Sequence, residues 1–220
     1  RRRPPEVQRW EGPAQAFAPP SWSQESPEGE TGALRLITTA SSSRLTDEAA
    51  LSNVTVVHQQ VLKFEHLTEG WPKDIIPEGA PRRTWPWLLL SSPSAARMII
   101  EGLHLCPDLA RLPWAALGRG TALATLERGH TVAFCAEAED GASFAAALID
   151  ALDPEVALLL PRSDQARPAL LERLEAAGRQ VQAWTAYRTM QADIEPIEVQ
   201  ASDVLLVTSP SAIRAWRGTG

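Results

Sequence analysis

Trp87–Arg97 reads WLLLSSPSAAR, and Val204–Arg214, 117 residues further on, reads VLLVTSPSAIR; seven of the eleven aligned positions are identical. Two buried strands share leucines readily, but a shared Ser-Pro-Ser-Ala-x-Arg after them marks an internal duplication. In each copy an apolar run ends in two hydroxyl residues, Ser91 and Ser92 or Thr208 and Ser209, followed by a proline. Proline breaks a strand ladder and suits the first turn of a helix, so Ser92 and Ser209 are expected to cap helices. Each copy therefore reads as strand, turn and helix.

Further units surround the first copy. Trp87–Leu90 is expected as a strand, Ser91–Ser94 as a turn and Ala95–Leu103 as a helix. Trp114–Leu117, Gly118–Gly120 and Thr121–Arg128 repeat that order, and a strand His130–Cys135 precedes a helix Ser143–Leu152. Next come a strand Val156–Leu160, a turn Pro161–Ser163, a helix Asp164–Ala177 stopped by Gly178, and a strand Gln180–Ala186. Leu170, Leu171 and Leu174 share one helical face and would pack on a sheet. Upstream, Leu34–Thr38 reads as a strand, Thr46–Leu51 as a brief helix capped by Thr46, and the β-branched stretch Val54–Leu67 as one or two strands. Residues 68–86 carry four prolines and read as a loop; residues 1–33 carry six, lack apolar periodicity and read as a loose tail. Apolar strands alternating with short helices predict doubly wound, flavodoxin-like parallel sheets covered on both faces, with right-handed crossovers.

Composition narrows the chemistry. The chain has 220 residues, 44% of them hydrophobic and 22% charged, enough for one large or two small domains. A net charge of -6 argues against nucleic acid as a partner, because binding its backbone needs clustered lysine and arginine. Cys106 and Cys135 form neither a disulfide framework nor a metal-ligand cluster, and His58, His66, His104 and His130 show no metal-binding spacing. No run nears the ~20 apolar residues of a membrane span, and no secretory leader is visible, so a cytoplasmic protein is expected. The stretch Leu117–Ala122 (LGRGTA) offers glycines for close approach to a ligand, but Leu123 stands where a dinucleotide fingerprint needs a third glycine. No lysine-bearing phosphate loop and no G-x-S-x-G nucleophile turn appear either.

What remains is the pair of helix starts. A helix N-terminus leaves unpaired N–H groups and a partial positive charge, which favour an anion. In open α/β sheets, ligands sit beyond the carboxyl ends of the strands. The serines either cap their helices only, or cap them and bind an anionic small molecule as well.

The pieces LRLITTA (34–40), VLKFEHL (61–67), LLLSSPSAAR (88–97), ALGRGTALATLERG (116–129), LLLPRSDQARPALLERLEAAG (158–178), VQAWTAYRT (181–189) and DVLLVTSPSAIRAW (203–216) run in the order found in uroporphyrinogen-III synthases, and the chain resembles that family over most of its length. The resemblance implies two flavodoxin-like domains joined by a two-stranded linker, one inserted into the other. The inserted domain would be 84–182, the linker strands 57–67 and 183–191, and the split domain 34–56 plus 192–220. It implies a cytoplasmic, monomeric lyase of haem biosynthesis that uses neither metal nor organic cofactor. The reaction would cyclise hydroxymethylbilane to uroporphyrinogen III, losing water and inverting the last pyrrole ring.

Carried over by motif, Ser91, Ser92, Gly118, Thr121, Thr208 and Ser209 would bind the substrate, and Tyr187, the only tyrosine, would assist departure of the hydroxyl as a weak acid. Tyr187 could equally be a strand aromatic that only packs. Arg119, Arg162 and Arg188 are candidates for pairing with substrate carboxylates, or are surface residues. The sequence departs from the family pattern in a short first unit and in ending at Gly220, before a counterpart of Trp114–Leu152, so that the split domain is expected to be truncated: either the sequence is a piece of a longer chain, or it is a divergent member with half its site missing. A family-like module that binds a tetrapyrrole or another polyanion without turnover is the alternative, and a periplasmic-type solute-binding protein is a third.

Overall fold

The computed structural model describes residues 34–39, 54–207 and 209–217. The expected tail, the expected helix Thr46–Leu51 and Thr208 lie outside them. The described elements run β1 (Leu34–Thr38), β2 (Val54–His58), β3 (Leu62–His66), β4 (Trp87–Leu90), α1 (Pro93–Glu101), β5 (Trp114–Leu117), α2 (Gly118–Leu126), β6 (Phe134–Ala136), α3 (Gly141–Ala151), β7 (Leu158–Ser163), α4 (Ala169–Ala176), β8 (Val181–Gln191), β9 (Val204–Leu206) and α5 (Pro210–Arg217). Short 3-10 turns at Arg82–Thr84 and Pro107–Arg111 complete the inventory.

Contacts divide the chain into two units, one of them formed by Glu65–Arg188. Its strands belong to a sheet ordered β3-β8-β7-β4-β5-β6. The pairs β4–β5, β4–β7, β5–β6 and β7–β8 are all parallel. The chain runs outward from β4 through β5 to β6, then returns to β7 on the other side of β4. Helices α1 and α2 pack together, as do α3 and α4. This is the doubly wound α/β class, with the reversal of strand order between β4 and β7.

Strand alternation explains the core. Trp87, Leu89, Ala115, Leu158 and Leu160 pack with Phe144, Ala145 and Leu148 of α3 and with Leu170 and Leu174 of α4. On the opposite face Ala116 packs with Ala122 of α2 and Val132. β4 is buried along its whole length because both its edges and both its faces are covered.

The second unit comprises the described residues 34–39, 54–64, 189–207 and 209–217. Its sheet is ordered β2-β1-β9, all parallel. Its described core is small: Val61, Ala212 and Ala215, with Leu62, Ile194, Val207 and Trp216 packed against them. Arg35 ties the unit together by donating to the Glu198 carbonyl at 3.0 Å and pairing with Asp203 at 3.3 Å.

Several element boundaries differ from expectation. Gly118–Gly120 is no turn: α2 begins at Gly118, whose φ of +74° swings the chain from strand to helix within one residue. Pro161–Ser163 is no turn either, because β7 continues through it. The Leu158 N–H donates to Gln180 O of the β8 side, so alternate residues, including Pro161, face the β4 side. Pairing with β4 ends at Leu159, and a proline there deprives no partner of a hydrogen bond. Helix α4 accordingly starts late. Residues 163–166 form a turn held by Ser163 and Arg162, and Arg167 precedes Pro168, a position that disfavours helix. The strand expected from His130 shrinks to Phe134–Ala136, since Gly129 and His130 still cap α2 through the Leu126 and Thr125 carbonyls. Helix α3 starts early, at Gly141, under a capping box between Asp140 and Ser143. β8 runs past the expected end at Ala186 to Gln191.

Candidate active site

The two copies of the repeat match in detail. Ser92 Oγ accepts the Ala95 N–H at 3.0 Å, and Ser209 Oγ accepts the Ala212 N–H at 3.1 Å. In each copy the arginine reaches back one turn: Arg97 Nη2 donates to Ser94 Oγ at 3.4 Å, and Arg214 Nη2 to Ser211 Oγ at 3.0 Å. Both serines therefore cap their helices as the sequence predicts.

In the first unit, Ser92 does more than cap. Its hydroxyl is hydrogen-bonded to the Tyr187 side chain. The meeting follows from topology. Ser92 stands just beyond the carboxyl end of β4, Ser163 ends β7, and Tyr187 lies opposite Ser163 in the β7–β8 register. A shift in that register between Arg162 and Ser163 brings Tyr187 and Ala186 both to the inward side, so that two successive residues of β8 are buried. The carboxyl ends of β4 and β7, where the strand order reverses, thus bring together Ser92 and Tyr187, two of the residues singled out from sequence.

Tyr187 is 5% exposed, and burial pushes its phenol above the ordinary tyrosine pKa. The Ser92 hydrogen bond opposes that rise, the Asp164 carboxylate adds to it, and the Arg97 guanidinium counters it. The phenol is therefore neutral at physiological pH. Arg97 is itself depressed by burial and by neighbouring Arg128, against Glu101, Glu127 and Tyr187. Asp164 and Arg97 are residues to which sequence reading gave no role. Arg97 had a signal, its retention in both copies of the repeat; Asp164 had none.

The remaining candidates distribute as follows. Ser91 is half-buried between β4 and its neighbour Ser92. The start of α2 lies beside that of α1, since a Cβ added at Gly120 would come to 3.7 Å from Pro93 Cγ. Gly118 is half-buried, and Thr121 is 2% exposed. Ser209 belongs to the second unit, and Thr208 lies outside the described residues. Arg162 spends Nη2 on the Ala166 carbonyl at 3.0 Å, Arg119 pairs with Glu137 at 3.3 Å on the surface, and Arg188 is exposed. Burial raises both cysteine thiols, which keeps them protonated at neutral pH.

The sequence model of uroporphyrinogen-III synthase HemD matches residues 43–218. The chain belongs to the uroporphyrinogen-III synthase family. Among solved structures it is similar to uroporphyrinogen-III synthetase from Helicobacter pylori, with a TM-score of 0.57 and 15% identity over 85% of this chain and 78% of that one. A mutant uroporphyrinogen III synthase from the extremely thermophilic bacterium Thermus thermophilus also matches, with a TM-score of 0.46 and 17% identity over 85% and 77% of the two chains. The first of these likenesses establishes a shared fold. No curated protein sequence matches significantly. Among the described residues no helix is long and apolar enough to cross a membrane, and no group of three or more His, Cys, Asp or Glu is arranged to hold a metal ion.

Proposed function

We propose that the chain is a uroporphyrinogen-III synthase, a lyase that closes hydroxymethylbilane to uroporphyrinogen III without a cofactor. Family membership supports the reading, and the observation that carries it is the hydrogen-bonded Ser92–Tyr187 pair at the carboxyl ends of β4 and β8's neighbour β7. The substrate bears eight carboxylates, which suit the unpaired amides and partial positive charge of helix starts. The reading assigns such side arms to Ser91, Ser92, Gly118 and Thr121, and to Thr208 and Ser209 of the second copy. It also takes 57–67 and 183–191 as linker strands between an inserted domain, 84–182, and a split one.

The chemistry needs orientation and one mobile proton. The C–O bond of the hydroxymethyl group breaks as the pyrrole nitrogen donates electron density, and the departing oxygen takes the phenolic proton of Tyr187 to leave as water. The resulting azafulvenium carbon is attacked by the substituted carbon of the last pyrrole, giving the spiro intermediate that inverts that ring. The spiro carbon's bond to its original methylene bridge then breaks, the ring's other α carbon attacks the freed bridge, and loss of the proton from that carbon restores both the pyrrole and the phenol. Unassisted, the same cation closes to the type I isomer, so the enzyme's contribution lies in holding the bilane curled.

A coupled assay with freshly made hydroxymethylbilane tests the reading. The expected product is the type III isomer, well above the spontaneous background. Only type I isomer, formed at the uncatalysed rate, would leave a tetrapyrrole-binding module as the surviving alternative.

A further inference from the structure

Trp85 lies just ahead of β4, and two arginines stand over its ring. The side chain is buried and held in place by Nε1, which donates to the Ala80 carbonyl at 3.0 Å. The guanidinium carbon of Arg82 is 5.4 Å from the ring centroid and that of Arg111 is 5.2 Å. Both distances are within reach of cation–π attraction, and sharing one ring keeps the two cations no more than about 11 Å apart. Their backbones are fixed as well. The Trp85 N–H donates to the Arg82 carbonyl at 3.2 Å, and Arg111 ends the 3-10 turn that begins at Pro107.

With Leu112, Pro113 and Thr131, these side chains line a cavity of about 520 Å³. It belongs wholly to the Glu65–Arg188 unit. Its lining residues precede β4, β5 and β6, so it lies at the amino ends of the sheet, whereas Ser92 follows the carboxyl end of β4. A volume of this order suits a small molecule. Arg111 commits Nη1 to the Asp108 carboxylate at 3.1 Å, in a pair exposed to water, and Arg82 makes no ion pair or side-chain hydrogen bond among the described residues. A guanidinium carries five N–H donors, so most of those on both arginines are open to a ligand. Two cations against one carboxylate leave positive charge here, in a chain whose net charge is -6. Guanidinium forks match carboxylates two bonds at a time, and the apolar surface of Trp85, Leu112 and Pro113 suits a carbon skeleton between the charged ends.

We propose that this cavity binds a small dicarboxylate, one carboxylate on Arg82 and the other on Arg111, with its carbon chain along the apolar wall. The site is independent of the synthase reading, since it shares no residue with the candidate active site and lies at the other end of the strands.

Calorimetric titration of the full chain at low salt and neutral pH, with succinate and adipate as probes, tests the proposal. At least one diacid should bind with a Kd below about 1 mM, and acetate at least about tenfold more weakly. Arg82→Gln and Arg111→Gln should each weaken the diacid by at least about fivefold. Arg83→Gln removes the same charge next door, at an exposed residue outside the cavity, and should leave the affinity within about twofold. Asp108→Asn frees the Arg111 donor and removes the competing carboxylate, so it should tighten binding about threefold, a gain that misfolding does not produce. The proposal is overturned if neither diacid binds, if acetate or inorganic phosphate binds as tightly, if Arg83→Gln costs as much as Arg82→Gln, or if Asp108→Asn brings no gain.

Discussion

Single side chains decide two separate properties of this protein. Tyr187 is the chemical one. Replacing it by phenylalanine keeps the packing of a residue that is 5% exposed and removes only the hydroxyl. We expect kcat for type III isomer to fall by about 10²-fold with the melting temperature nearly unchanged, read by product analysis beside thermal unfolding. Arg179 is the structural one. It is 6% exposed and donates to the carbonyls of Leu152, Asp153 and Val156 at 3.0, 2.7 and 3.4 Å, stitching the approach to β7 onto the start of β8. Arg179→Met would leave those acceptors without their donor, and denaturant unfolding should show a loss of about 2–3 kcal/mol. Sequence reading picked out Tyr187 as the single tyrosine on a strand, whereas Arg179 looked like any charged residue after a helix-ending glycine. Its carbonyl partners lie 23–27 residues away, and only folding brings them within reach.

At the scale of elements, the strand-to-helix junctions carry the specificity. Gly118 has room for a side chain, since an added Cβ would stand 3.5 Å from the Ala138 carbonyl, but its φ of +74° is costly for any residue with a Cβ. Gly118→Ala should therefore destabilise by about 1–2 kcal/mol through backbone strain alone, and a structure of the variant should show the start of α2 displaced. The capping box of α3 gives a pH prediction. Hydrogen bonds from the Ser143 backbone and hydroxyl hold the Asp140 carboxyl below its ordinary pKa. A carboxylate depressed in the folded state contributes stability above its unfolded pKa and loses it as pH falls through the folded value. Urea midpoints measured from about pH 6 to about pH 3 should fall less steeply for Asp140→Asn than for the wild type. The helix N-cap at Ser92 was legible because its signal is local, a hydroxyl residue followed by proline. The course of β7 through Pro161 was not, because a proline is tolerated there only for want of a β4 partner beyond Leu159.

Across the whole molecule, the two copies of the repeat share a local structure and differ in what covers them. β4 has neighbours on both edges, and its four residues are at most 9% exposed. In β9, Val204, Leu205 and Leu206 are 46%, 40% and 37% exposed, although the sequence of the two strands is nearly the same. Each large apolar side chain fully buried contributes about 1.5–3 kcal/mol, so β4 is locked where β9 is not. Native-state hydrogen exchange should accordingly show β4, β5 and β7 amides protected at least about tenfold more than those of β9; equal protection would refute this ordering. The sequence by itself determined the class of fold, the duplicated serine-capped helix starts and the family, because hydrophobic period, capping chemistry and repeated spacing are encoded in neighbouring residues. Tertiary structure alone decided that Ser92 meets Tyr187 with Asp164 and Arg97 beside them, that one copy of the strand is buried and the other exposed, and where β7 and α4 exchange places. Those outcomes depend on which strands lie side by side, and strand order is fixed by packing between residues far apart in the chain.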